Sequence, residues 1–185
     1  MFWMSNKVLL TSFTTWLPHQ LSNSSDDLLN EISRLDAFSS LTFLRLLPVD
    51  IELASSCVIA KINELQPDIV ICCGMAESRI LLSIESTATC GEMVLTTSVN
   101  LLKLVTNSTA IVSEDAGKFV CEGLYYSVLK YILDHNLNTH CIFIHVPILT
   151  EQNLAEIVSD FKLIVHKIKY FSKHYINEMS KLDFG

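Results

Sequence analysis

Short apolar runs bounded by polar turns alternate along the chain with stretches in which apolar residues recur every three or four positions. The first pattern predicts buried strands and the second predicts helices packed by one face. Lys7 to Phe13 (KVLLTSF) is such a run, and a polar loop, TTWLPHQLSNSS, follows it carrying Trp16 and His19. Leu28, Ile32 and Leu35 then give a helix one buried face, with Ser24 or Ser25 as its cap and Asp26 and Asp27 at its positive end. Ser40 to Val49 predicts a second strand, and Ile51 to Gln66 a helix through Leu53, Cys57, Ala60 and Leu65 that Pro67 stops. PDIVICCGM is apolar and β-branched throughout, as a central strand of a parallel sheet is. Met93 to Val99 and Thr109 to Val112 are weaker strand patterns. After Ser113 and Asp115, both good cap residues, Val120, Leu124, Val128 and Ile132 repeat at four-residue spacing and predict a helix that starts near Cys121. HCIFIHVPIL, His140 to Leu149, is a further buried strand, and Thr150 is expected to cap a long amphipathic helix running to about Tyr175.

Strand and helix in alternation imply an α/β fold, a three-layer α/β/α sandwich around a mostly parallel central sheet with right-handed crossovers. The 185 residues are enough for one domain, expected to span 1–185, with a core that needs no staples. No stretch approaches the roughly 20 apolar residues that would cross a bilayer. The opening MFWMSNKVLL has neither a basic start nor a small-residue cleavage site, so it does not read as a secretory leader, and a cytoplasmic location is expected. Six cysteines without CxxC pairs or zinc-finger spacing suggest neither a disulfide framework nor a metal site. A net charge of −7 with both signs interspersed disfavours nucleic acid and anionic membrane as partners.

In open α/β sheets, sites gather at the carboxyl ends of strands. The Phe13 to Trp16 loop, the Gly74 to Glu85 segment, the turn before Cys121 and His145 all fall there. Cys121 has two readings. It is either one more small buried hydrophobe, or a nucleophile whose thiolate is favoured by the positive end of its helix. A nucleophilic cysteine needs a base, and the base gains from a carboxylate. His145 interrupts the apolar run CIFIHVPI, where imidazole is costly unless paired. The other five histidines read as surface or rim residues. Glu85 follows apolar residues in RILLSIESTA and is either a solvated strand end or the carboxylate; Arg79 could pair with it or donate to an oxyanion. CCGMAESR has one glycine where a dinucleotide turn needs three, which removes the nucleotide reading.

These residues stand in motifs that resemble the pyroglutamyl peptidase type I family, the pyrrolidone-carboxylate peptidases, over nearly the whole chain. KVLLTSF with Trp16 resembles that family's KVLLTGF-x-P-F opening, and Asn23-Ser24-Ser25 its Asn-Pro-Ser. LLPVD and PDIVICCGMAESRILLSIESTA resemble its LPV and PD-x-V-x-x-x-G-x-A-x-x-R-x-x-x-x-x-E-x-x-A segments. SEDAGKFVCEGLYY resembles S-x-x-A-G-x-[YF]-x-C-N-x-x-x-Y, and FIHVP the histidine motif. The resemblance implies Cys121 as nucleophile, His145 as base, Glu85 as its carboxylate, Arg79 as an oxyanion donor beside the Cys121 N–H, and Phe13 and Trp16 as an aromatic slot for a flat, neutral lactam.

It further implies a cysteine exopeptidase acting on N-terminally pyroglutamylated peptides through a thioester, with no metal or cofactor, assembled as a dimer or tetramer. The chain departs from the pattern at several places. Ser12 replaces a glycine, Thr15-Trp16-Leu17-Pro18 replaces Pro-Phe-Gly-Gly, Ser86 an arginine, Cys90 an asparagine and Glu122 the asparagine after the nucleophile. Glu122 is expected to point to solvent. Two other readings stay open: a family member that no longer cleaves and serves as a binding or scaffold protein, and another cysteine amidohydrolase.

Overall fold

Four of the apolar runs lie side by side in parallel, and two short strands, one at the weaker pattern Thr109 to Val112 and one that periodicity does not reveal, complete the sheet. The computed structural model describes residues 6–117 and 119–182, with side chains as far as 170, so the first five residues of the opening segment lie outside the described residues. The strands are β1 (Val8–Phe13), β2 (Thr42–Leu47), β3 (Ile69–Met75), β4 (Ser83–Glu85), β5 (Thr87–Cys90), β6 (Met93–Thr96), β7 (Ile111–Ser113) and β8 (His140–Val146). The helices are α1 (Ser24–Ser33), α2 (Ile51–Leu65), α3 (Leu101–Val105), α4 (Val120–Asp134) and α5 (Leu154–Leu182). The main sheet runs in the order β2-β1-β3-β8-β4-β7, and β5 and β6 form a separate hairpin. β2, β1, β3 and β8 are mutually parallel, whereas β4 is antiparallel to β8 and carries β7 alongside it.

Alternate residues of the central strands feed two cores, which makes the three layers. Leu10, Ile71, Ile142 and Ile144 face α1, α3 and α5, and Leu9, Val70, Cys72 and Phe143 face α2 and α4. Each fully buried aliphatic side chain of this kind contributes about 1.5–3 kcal/mol. α2 and α4 approach closely where Gly123 meets Ile51: a Cβ on Gly123 would lie 2.7 Å from Ile51 Cδ1.

Several local expectations are corrected. Asn23, not Ser24 or Ser25, caps α1, its side chain accepting from the Ser25 N–H, because a residue still in extended conformation can turn its carbonyl oxygen back onto the first turn. The second strand is shorter than Ser40 to Val49, since a 3-10 turn at Asp36–Phe38 precedes it and Asp50 already caps α2. α5 begins at Leu154, after a turn in which Thr150 and Asn153 exchange side-chain and backbone hydrogen bonds.

A polar knot ties the end of β1 to α1 and β2. Ser12 Oγ donates to Asp26 Oδ1 (2.7 Å), and Arg45 holds both Asp26 oxygens at 2.8 Å. Burial acts to raise the Asp26 carboxyl, but hydrogen bonds from Arg45 and Ser12 hold it below its ordinary value. Ser12 Oγ also accepts from the N–H of Leu46, whose φ of 59° marks a bulge in β2. The hydroxyl where the family has glycine is therefore spent on holding the strand ends beside the loop that carries Trp16.

Candidate active site

Three elements converge on one small cavity of about 150 Å³ at the carboxyl ends of β1 and β3, lined by Phe13, Trp16, Phe119, Met75, Cys121 and His145 among others. β8 supplies His145 next to Gly74 of β3, its register partner. α4 supplies Cys121 from its first turn, after a turn made possible by Gly117 at φ +88°. The thiol sits directly over Gly74: a Cβ there would lie 2.6 Å from Cys121 Sγ.

Glu85 arrives from the opposite direction. Because β4 runs antiparallel to β8, Glu85 pairs with Phe143 and Ser83 with His145, so the carboxylate reaches diagonally to the imidazole on the same face of the sheet. His145 Nδ1–H donates to Glu85 Oε1 at 2.8 Å, and both side chains are buried. In the neutral ring this bond places the proton on Nδ1 and leaves Nε2 free to accept one. Ser83 Oγ donates to the same carboxylate oxygen (3.3 Å). Tyr125 of α4, fully buried, donates to the Glu85 backbone carbonyl (3.0 Å), so the helix that carries Cys121 also anchors the acid's strand.

The remaining predicted residues are placed differently. Arg79 Nη2 lies 3.4 Å from Glu85 Oε1 and donates to the Asp115 carbonyl (2.8 Å), and Arg79 is not among the residues lining the cavity. Its guanidinium therefore faces the acid and the turn before Cys121. Cys121 makes no hydrogen bond to His145 among the described residues, although both line the cavity. Burial pushes its thiol up to about 12, with nearby Cys72 and Glu85 adding to the effect. The expectation of a resting thiolate is thereby corrected: burial of the sulfur, the largest cause, favours the protonated thiol. Glu122 does not simply point to solvent. Its Oε1 accepts from the Thr89 N–H (3.1 Å) and the Thr89 hydroxyl, which docks the β5–β6 hairpin on α4.

Phe13 is buried and Trp16 is 40% exposed, and both line the cavity. Phe119 and Asn23 also line it and were missed as site residues. Phe119 is the aromatic position two residues before the cysteine in the motif, and Asn23, besides capping α1, donates Nδ2–H to the Thr14 carbonyl.

Residues 101–168 match the family model described as pyroglutamyl peptidase. A pyrrolidone-carboxylate peptidase of Brachyspira hyodysenteriae is 34% identical over 121 residues, covering 51% of this chain and 60% of that relative. One from Thermoanaerobacter sp. is 26% identical over 175 residues, covering 80% and 85%. The chain is similar to pyroglutamyl peptidases. Its fold agrees: the pyroglutamyl peptidase I of Bacillus amyloliquefaciens superposes with a TM-score of 0.74 at 23% identity, over 87% of this chain and 93% of that one. The pyrrolidone carboxyl peptidase of Thermococcus litoralis gives 0.76 at 18% identity, over 94% and 96%. The match to the Brachyspira relative thus spans less than two thirds of that protein's length.

Similarity to pyroglutamyl peptidases does not remove the cost of burying thiols. Cys121, Cys73, Cys141 and Tyr125 are all raised above their ordinary values, chiefly by burial. A raised thiol is neutral in both states at low pH. Above 9.0, the ordinary thiol value, the unfolded chain sheds protons that the folded one keeps, so stability falls as pH climbs toward about 12. The urea midpoint of the reduced protein is expected to hold steady to about pH 8 and decline between about pH 9 and 11. A flat profile across that window would show that these groups ionise freely in the folded protein.

Proposed function

We propose that the chain is a cysteine exopeptidase that removes N-terminal pyroglutamyl residues from peptides, with Cys121, His145 and Glu85 as its catalytic residues. The observation that carries this reading is the buried His145–Glu85 pair at 2.8 Å, set in the same cavity as the thiol on α4. Cys121 sulfur attacks the carbonyl carbon joining the lactam residue to the next one, and His145 Nε2 takes the thiol proton. Because the resting thiol is held protonated, this proton moves as the S–C bond forms rather than beforehand. His145 then returns the proton to the leaving amine, and a water, deprotonated by the same nitrogen, hydrolyses the thioester. Glu85 holds the ring and stabilises its cationic form.

The oxyanion falls at the first turn of α4, whose N–H groups have no intrahelical acceptor. Arg79, with Nη2 committed to Glu85 and the Asp115 carbonyl, could serve there only through its other guanidinium N–H groups. The lactam lies between Phe13, Trp16 and Phe119, where flat aromatic faces suit a flat neutral ring. No metal or cofactor enters the proposal. Residues 1–185 act as one catalytic domain, and assembly as a dimer or tetramer is carried from the resemblance. Six free cysteines suit a reducing compartment, the cytoplasm in this proposal; among the described residues no helix is long and apolar enough to cross a membrane.

The protonated Cys121 thiol, unbonded to His145, favours a second reading in which the site binds pyroglutamyl peptides without cleaving them. One experiment separates the two. Thiol-dependent release of chromophore is expected from a pyroglutamyl anilide and none from a prolyl anilide. No turnover of the first by folded, reduced protein overturns the peptidase reading and leaves the binding one.

A further inference from the structure

Trp16 is an exposed wall of the cavity, at 40%, and its loop, 14–22, has no regular structure. One side chain organises that loop. Gln20 Oε1 accepts from the backbone N–H groups of both Trp16 and Leu17, each at 3.1 Å. The Gln20 N–H closes a turn on the Leu17 carbonyl (3.1 Å), with Pro18 at the position where its fixed φ suits such a turn. The other end of the same amide, Nε2, donates to Glu77 Oε1 at 2.7 Å. Glu77 lies on the segment that leaves β3 just after Met75, itself a wall of the cavity. The ends of the loop are held separately, Thr14 by Leu47 and Asn23, so the middle depends on Gln20.

We infer that Gln20, tethered to Glu77, is a positioning residue that sets Trp16 over the substrate slot and so governs affinity for the lactam residue. The inference rests on the proposed peptidase reading for what occupies the slot. It gives the Thr15-Trp16-Leu17-Pro18 sequence a physical account: a loop without glycine is shaped by a side chain that satisfies two adjacent N–H groups and anchors them across the mouth to a carboxylate. A hydrogen bond to an ionised acceptor is the stronger kind, which suits it to hold an exposed loop. Gln20 touches neither the thiol nor the imidazole, so its loss weakens binding while leaving the chemical step in place.

The test compares Gln20→Ala, Gln20→Glu, Glu77→Gln and the double variant Gln20→Glu/Glu77→Gln, using a pyroglutamyl anilide. Gln20→Ala is expected to raise KM about tenfold with kcat changed less than about threefold. Gln20→Glu still accepts from both N–H groups but meets the Glu77 carboxylate, so it behaves like Gln20→Ala, and the double variant restores KM because an amide at 77 again donates across the mouth.

A second readout does not need turnover. In a Trp3→Phe background Trp16 is the one remaining tryptophan of two, and its emission is expected to shift to the red in Gln20→Ala and to quench saturably with 2-pyrrolidone in the parent. The emission shift stands even where the parent does not cleave, so failure of the peptidase reading and failure of the clamp are told apart. Unchanged KM and unchanged Trp16 emission in Gln20→Ala overturn the inference, as does a fall in kcat with KM intact, or a double variant that rescues nothing.

Discussion

Cys121→Ala is expected to abolish measurable release of chromophore from a pyroglutamyl anilide, a loss on the order of 10⁴-fold or more. The magnitude follows from what the sulfur alone can do. It sits in the first turn of α4 over Gly74, in the cavity shared with His145, and no other cysteine lines that cavity. Cys72, the nearest alternative in charge coupling, is fully buried and is not a cavity wall. Removing one sulfur from a partly buried site costs about 1 kcal/mol or less of stability, so the variant should fold, and a far-UV spectrum and urea midpoint close to the parent would establish that. Cys121→Ser tests the sulfur more narrowly. The hydroxyl is close in size but far less readily deprotonated, so it should fare little better than alanine. Folded Cys121→Ala that keeps more than about a tenth of parental turnover would remove Cys121 from the mechanism.

The long apolar runs made the frame legible, and the short elements did not. PDIVICCGM and CIFIHVP are β3 and β8, buried on both faces, where continuous hydrophobicity carries the signal. β4 and β5 are three and four residues long, too short for any period, and they emerge only through pairing, β4 on the edge of β8 and β5 with β6. That shortness hid the direction from which Glu85 enters. Sequence placed the acid, base and thiol in the same region, whereas antiparallel pairing decides that Glu85 reaches His145 on a diagonal. The state of Cys121 was misread for a related reason. A helix start is visible in the sequence, but the packing that desolvates the sulfur belongs to tertiary structure, and it dominates. Asn23, Gln20 and Glu122 act through bonds from side chain to backbone, at Ser25, at Trp16 and Leu17, and at Thr89. Such bonds leave no periodic trace.

Gly74→Ala is the second large effect expected, a fall of about 10²-fold or more in kcat/KM from one added methyl group. Gly74 lies in β3 opposite His145, and its missing side chain is the space the site uses. The added Cβ would meet Cys121 Sγ at 2.6 Å, Phe143 Cζ at 2.9 Å and Phe143 Cε1 at 3.2 Å. The first contact forces the thiol off its seat or shifts the first turn of α4. The second pushes a buried ring that packs 4.9 Å from the His145 ring and 5.7 Å from that of Tyr125, the residue holding the Glu85 carbonyl. One methyl group therefore disturbs Cys121, His145 and Glu85 together, at an overpacking cost of about 1–3 kcal/mol. Stability and activity can be separated by adding Phe143→Leu, whose shorter side chain relieves the ring contact. The double variant should regain much of the urea midpoint while kcat/KM stays low, because the contact with Sγ remains. Turnover by Gly74→Ala within about fivefold of the parent would mean that the reacting thiol does not rest on this glycine, and that the attack begins from another rotamer of Cys121.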